Sequence, residues 1–253
     1  MRLLAFGLCV AACGRLDFDG HAHDAMPLAD APPSDAIATP DSDAGGGCPS
    51  FAVFCDDFES GNLSKWTGED VPASQTVDAA ARYTGNYGYD AVVPTDMGAG
   101  AEGDAYRSST AVTYATGTLA IREWVYSPAQ LINYVGTMEV TLGPPATAMQ
   151  YLEVISNDVG AWSLSEFGSA GLHDHEGSIA AQTATWTCVE LVIDLGSAAS
   201  VTLYIDGSAT TQGALTNAGD SYDTIAVGVT RANAGGFELY IDDVVIAMQR
   251  IGC

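Results

Sequence analysis

The sequence predicts an all-β domain, and three observations carry that expectation. From Cys48 onward apolar residues recur with a period of two rather than 3.6. Turn-forming dipeptides recur at short spacing between the apolar runs. No stretch has the length and periodicity of an amphipathic helix. Many short, evenly spaced strands without a repeat unit fit a sandwich, a barrel or a jelly roll, and argue against a propeller or solenoid.

The elements follow in chain order. The stretch 54–66, FCDDFESGNLSKW, reads as a first strand and its closing turn. Gly85-Asn86 marks a turn, and Tyr87 and Tyr89 after it share the parity of one strand face. TLAIREWVYS (118–127) places Leu119, Ile121, Glu123 and Val125 on one face and Ala120, Arg122, Trp124 and Tyr126 on the other. MQYLEVIS (149–156), GAWSLSEF (160–167), WTCVELVIDL (186–195), SVTLYIDG (200–207), DTIAVGVT (223–230) and FELYIDDVVIA (237–247) alternate in the same way. Between them stand Gly143-Pro144-Pro145, Asn157-Asp158, Asp206-Gly207 and Ala234-Gly235-Gly236. Asp-Gly between extended runs is a strong hairpin signal, because both positions tolerate positive φ.

The chain of 253 residues allows one large β domain or two small ones. Charged residues make up 16% and the formal net charge is −24, with Lys65 the single lysine. Such a surface repels phosphate backbones and polyanionic polysaccharides; nucleic-acid binding is excluded as a function, and neutral ligands and cations are favoured.

Ahead of the domain, MRLLAFGLCVAAC has one basic residue and a ten-residue apolar run. Ten helical residues span about 15 Å, half a hydrocarbon core, so the run reads as a secretory signal and not a membrane span. Val10-Ala11-Ala12-Cys13 resembles the lipobox of bacterial lipoproteins, which implies acylation at Cys13 and attachment to the membrane through that lipid alone. Gly14 in the next position implies the outer membrane or cell surface. Residues 14–47 hold seven aspartates against Arg15, among prolines, glycines and alanines. With no apolar period to bury, they read as a disordered acidic tether reaching about 30–35 Å. His21 and His23 lie within it and read as solvated linker.

Four further cysteines, Cys48, Cys55, Cys188 and Cys253, suit two disulfides in an exported chain, with three pairings open. Cys48–Cys55 with Cys188–Cys253 is favoured: the first closes a small loop where tether meets domain, and the second pins the last residue to a central strand.

FCDDFESGNLSKW, WTCVELVIDLGSAASVTLYIDGSA and FELYIDDVVI together resemble the concanavalin A-like and laminin G-like jelly-roll domains, from Cys48 to Cys253. The resemblance implies a two-sheet antiparallel sandwich in which first and last strands pair. It spans lectins, glycosidases, lyases and adhesion modules, so fold does not choose among them.

Several clusters are candidates for function. Retaining glycosidases need two carboxyl groups about 5–5.5 Å apart. Glu190 and Asp194 lie four apart without a third acid, and Arg122-Glu123-Trp124 does not match the basic lyase pattern of this fold. No catalytic residue is assigned. Tyr87, Tyr89 and Asn86, with Trp124 and Trp162, offer aromatic stacking and amide hydrogen bonds to a sugar; Trp186 reads as core. His173 and His175, in the glycine-bounded run HDHE, read as a loop that would hold a ligand or metal only if extended. Pairing of first and last strands would bring Asp56, Asp57 and Glu59 beside Asp242 and Asp243, an oxygen-rich cluster suited to a structural Ca²⁺. The expected function is a surface-anchored, monomeric, non-catalytic module that binds a neutral glycan on its concave face. A glycan-cleaving enzyme and a purely structural surface protein are the alternatives.

Overall fold

The computed structural model describes residues 48–69, 75–94, 103–109, 114–142, 150–168, 171–196, 198–216, 222–233 and 235–253. The signal, Cys13, the tether with its histidines, and the turn at Gly143-Pro144-Pro145 lie outside them.

Fifteen strands, numbered in chain order, form two antiparallel sheets among the described residues. The eight-stranded sheet runs β13 (Ser208–Ala214), β12 (Ser200–Ile205), β11 (Thr187–Asp194), β6 (Thr118–Tyr126), β15 (Glu238–Ala247), β4 (Gly88–Val92), β3 (Gln75–Asp78), with β1 (Ala52–Asp56) also paired to β15. The seven-stranded sheet runs β10 (Gly171–His175), β9 (Trp162–Gly168), β8 (Tyr151–Ser156), β7 (Val135–Leu142), β14 (Tyr222–Ala232), β5 (Gly103–Ser109), β2 (Gly68–Glu69). This is a two-sheet jelly-roll sandwich, and the first and last strands pair as expected.

The core lies between the sheets. On β6 the inward set is Leu119, Ile121, Glu123 and Val125, all buried, while Arg122, Trp124 and Tyr126 are half-buried on the outer face. Facing residues include Met138, Leu152, Val154 and Val227 from the other sheet. Each aliphatic side chain withdrawn from water in this way contributes about 1.5–3 kcal/mol. Trp162 and Tyr89 belong to the same cluster, at 1% and 0% exposure.

Local chemistry fixes the connections. Asp206 and Gly207 sit at φ 48° and 78°, which closes the β12–β13 hairpin in the primed-turn geometry that Asp-Gly favours. The structure joins Cys48 to Cys55 and Cys188 to Cys253. The second bridge lays the C-terminal tail over the outer face of the eight-stranded sheet. There Glu190, fully buried, accepts the N–H groups of Ile251 (2.6 Å) and Gly252 (3.0 Å), and Arg250 lies 3.8 Å over the Tyr204 ring. Two disulfides are those of a chain that folds in an oxidising, extracytoplasmic compartment. Among the described residues no helix is long and apolar enough to cross a membrane.

Candidate functional site

The acids of the first and last strands are neighbours, and Asp56, Glu59, Asp242 and Asp243 each have a distinct task. One edge of β15 is shared: β4 pairs with Glu238–Ile241, then β1 with Val244–Ala247. Asp242 and Asp243 stand at the change of partner, with Asp243 at φ 48°. The ladder is interrupted there, and side-chain oxygens replace it. Asp242 Oδ2 accepts the N–H groups of Tyr83 (2.7 Å) and Thr84 (3.0 Å), and its Oδ1 accepts that of Asp243 (2.8 Å). Burial nevertheless pushes the Asp242 carboxyl up to about 7. Asp243 takes the Thr84 hydroxyl at 3.0 Å; burial raises its carboxyl, and the charges of Asp57 and Glu59 add to the rise.

On the first strand Asp56 is fully buried and accepts from Phe58 N–H (3.1 Å), Trp66 Nε1 (2.8 Å) and Lys65 Nζ (3.1 Å). Glu59 accepts the Tyr87 and Asn86 N–H groups and the Asn86 amide, which together hold its carboxyl below the usual range. These acids therefore close turns and an interrupted ladder. Among the described residues no group of three or more acidic, histidine or cysteine side chains converges in metal-binding geometry.

The aromatic and histidine candidates divide. Tyr89 and Trp162 cannot meet a ligand, because both rings face the inter-sheet core; the Tyr89 hydroxyl is spent on Gln75 at 3.0 Å. Tyr87 is 40% exposed but lies ahead of β4, so it does not share a strand face with Tyr89, and Asn86 is occupied by Glu59. Trp124 lies on the outer face of β6 under the Tyr83 ring, 3.9 Å away. Trp186 is half-buried outside the core cluster, contrary to the core reading.

His173 and His175 lie on a strand and not in a loop. Gly171–His175 pairs with β9 as an edge strand. His175 is buried against Gly213, with Nε2 3.7 Å from Glu166 Oε2, and its ring meets that of His173 edge-on at 4.6 Å. Glu166 in turn accepts the N–H (2.9 Å) and hydroxyl (2.7 Å) of Thr216. This chain of contacts ties the edges of the two sheets together. Glu176 accepts from Asn157 at 2.6 Å and holds the β8–β9 turn.

A more coherent polar surface lies on the outer face of the seven-stranded sheet. On β8, Leu152 and Val154 face the core, so Tyr151 and Glu153 face outward. Tyr151 stacks on Phe167 of β9, with centroids 5.4 Å apart and planes at 20°. Arg231 of β14 donates to the Tyr151 hydroxyl and lies 3.0 Å from Glu153 Oε2, while the Thr230 hydroxyl donates to Glu153 Oε1 at 2.8 Å. Glu139 of β7 stands directly opposite Glu153 and is half-buried. Burial raises the Tyr151 hydroxyl, partly countered by the Arg231 charge. Acid pairs within one strand do not reveal this group, because its carboxylates come from two strands. The available signal was the shared Glu-Val step of MEVTL and YLEVI, whose alignment needs the β7–β8 register.

No family model matches the sequence, and no curated protein does. Among solved structures, the chain is similar to an endo-β-1,4-glucuronan lyase from the fungus Trichoderma reesei, at 12% identity and a TM-score of 0.62, over 78% of this chain and 96% of that one. It is similar to a cellulose-induced protein, Cip1, at 18% identity and a TM-score of 0.62, over 79% and 99%. The globular domain of T. cruzi calreticulin also matches, at 10% identity and a TM-score of 0.54, over 79% and 89%. At these identities the likeness is one of fold.

Proposed function

We propose that the domain is a glycan-binding module whose platform is the outer face of the seven-stranded sheet. One observation carries the reading: the stacked Tyr151–Phe167 pair lies beside Arg231, Glu153 and Glu139 on one face. Aromatic rings stack on the apolar faces of sugars, and the half-buried Arg231 and Glu139 donate to and accept from hydroxyls, while the buried Glu153 holds Arg231 in place. The net charge of −24 selects neutral glycans over acidic ones. The likeness to a lyase and to a cellulose-induced protein supports a glycan as ligand.

Binding is favoured over cleavage because Glu153 is fully buried and paired with Arg231. A paired-carboxylate mechanism needs both groups at the substrate. The second reading, a cleaving enzyme, rests on Glu139 standing directly opposite Glu153. An array of neutral glycans with an assay for released reducing ends separates the two. Binding without release, lost in Tyr151→Ala and Phe167→Ala, supports the module; release of ends supports the enzyme, and silence in both overturns both.

The reading includes attachment of a monomer to the cell surface through acylated Cys13, supported by the lipobox-like sequence. It also includes a structural Ca²⁺ at the corner beside the acids Asp56, Asp57, Glu59, Asp242 and Asp243, held mainly by carbonyl and water oxygens, because no three of these carboxylates converge on one point. The acid density at that corner supports it. EDTA should lower the melting temperature and Ca²⁺ restore it; an unchanged melt removes the ion from the account.

A further inference from the structure

The opposite face of the sandwich carries a second organised surface. Outward residues of β6 and β15 place Tyr126 directly opposite Tyr240, and Asp90 of β4 pairs with Tyr240 on its other side. Ring centroids then follow one another from Tyr83 to Trp186 (5.5 Å), Trp186 to Tyr126 (5.5 Å) and Tyr126 to Tyr240 (5.6 Å). Tyr83 is 38% exposed, and the other three rings are half-buried. None of the four belongs to the inter-sheet core.

Tyrosine is common in strands for packing alone. Two features go beyond packing. The strip ends at carboxylates: Glu238 accepts the Tyr240 hydroxyl at 3.2 Å, and among the described residues no hydrogen-bond donor reaches the buried Oδ1 of the half-buried Asp90. A half-buried carboxylate short of donors costs free energy that a hydroxyl reaching its accessible part would recover. The ring planes also turn along the strip, by 57°, then 48°, then 7°.

We infer that this strip is a second binding surface, for a single soluble chain of neutral hexopyranose units, independent of the seven-stranded face. Successive rings stack against the C–H faces of successive sugars, and Asp90 and Glu238 accept hydroxyl hydrogens at one end. The acidic rim and the overall charge exclude uronates and sulfated chains. The turning ring planes match a twisted chain in solution and not the flat face of a crystalline polysaccharide.

The test is calorimetric titration of the oxidised protein with maltohexaose and with cellohexaose. At least one should bind, without retention of the protein on microcrystalline cellulose. The Tyr126→Ala, Tyr240→Ala pair should weaken binding at least tenfold, and the Tyr126→Phe, Tyr240→Phe pair should restore it. Asp90→Asn, which leaves every ring in place, should weaken it several-fold. Tryptophan emission should become protected from acrylamide on binding, because Trp186 lies in the strip. The inference is overturned if neither hexasaccharide binds or if the strip variants titrate like the parent. Loss that follows Tyr151→Ala instead assigns the binding to the seven-stranded face and also overturns it. So does a change in oligomeric state of the strip variants without a change in binding, which would make the strip a contact between copies.

Discussion

Glu123 offers a quantitative test of the core. It is the acidic member of the inward set of β6 and is fully buried; the Thr137 hydroxyl faces it from the β7 bulge and lowers its carboxyl slightly, and among the described residues neither carboxyl oxygen has a hydrogen bond of ordinary geometry. Burial raises its carboxyl well above the ordinary 4.5. The folded chain therefore keeps a proton that the unfolded chain releases. A raised pKa means that Glu123 contributes most to stability below about pH 4.5, and that this contribution is lost as pH rises. The slope is at most about 1.4 kcal/mol per pH unit for one proton, over the range in which the unfolded carboxyl is ionised and the folded one is not. Glu123→Gln keeps the shape and removes the titration. Urea unfolding at pH 5, 6 and 7 should show the variant gaining on the parent by about that slope. Parallel stability curves would show that Glu123 is ionised in the fold, and the assignment of a neutral buried carboxyl would fail.

Asp90 titrates in the same direction, raised to about 6 by burial and by the charges of Glu238 and Asp78. Its contribution is present below about pH 4 and lost as pH rises to about 6, so Asp90→Asn should gain about 1 kcal/mol at pH 7, after allowance for partial exposure, and nothing at pH 3.5; an equal gain at both would refute the titration. Replacing Cys188 and Cys253 by serine opens a loop spanning 65 positions and should cost about 4 kcal/mol in the entropy model, read by chemical denaturation. At Gly213 a Cβ would come within 2.3 Å of the His175 ring, so Gly213→Ala should cost about 1–3 kcal/mol and lose most of that penalty when combined with His175→Ala.

How much the sequence disclosed depended on whether the information was local. The alternation of TLAIREWVYS placed Glu123 inside and Trp124 outside, because side-chain direction on a strand follows parity alone. Asp206-Gly207 disclosed its hairpin for an equally local reason. The rest required knowledge of partners. Glu139 and Glu153 meet only through the β7–β8 register. His173–Glu176 looked like a loop because Gly171 and Gly177 bound it, yet edge pairing with β9 made Gly171–His175 a strand. Tyr87 and Tyr89 share parity, but Tyr87 precedes the strand, so parity carried no information there. Asp242-Asp243 reads from sequence as an acid pair; its part in replacing the ladder where β15 changes neighbours is legible only once both neighbours are known.

The two disulfides also determine how the domain carries load. With Cys48 bonded to Cys55, tension arriving at Cys48 enters the sheet at Cys55 and bypasses the outer residues of β1. With Cys253 bonded to Cys188, tension at the other end passes into β11, which is flanked on both sides by β6 and β12. Force is thus delivered to a strand held by two ladders and cannot simply peel β15 from its last residue. Reduction would move the point of entry at that end from β11 to the end of β15, which is itself flanked by β6 on one side and by β4 and β1 on the other.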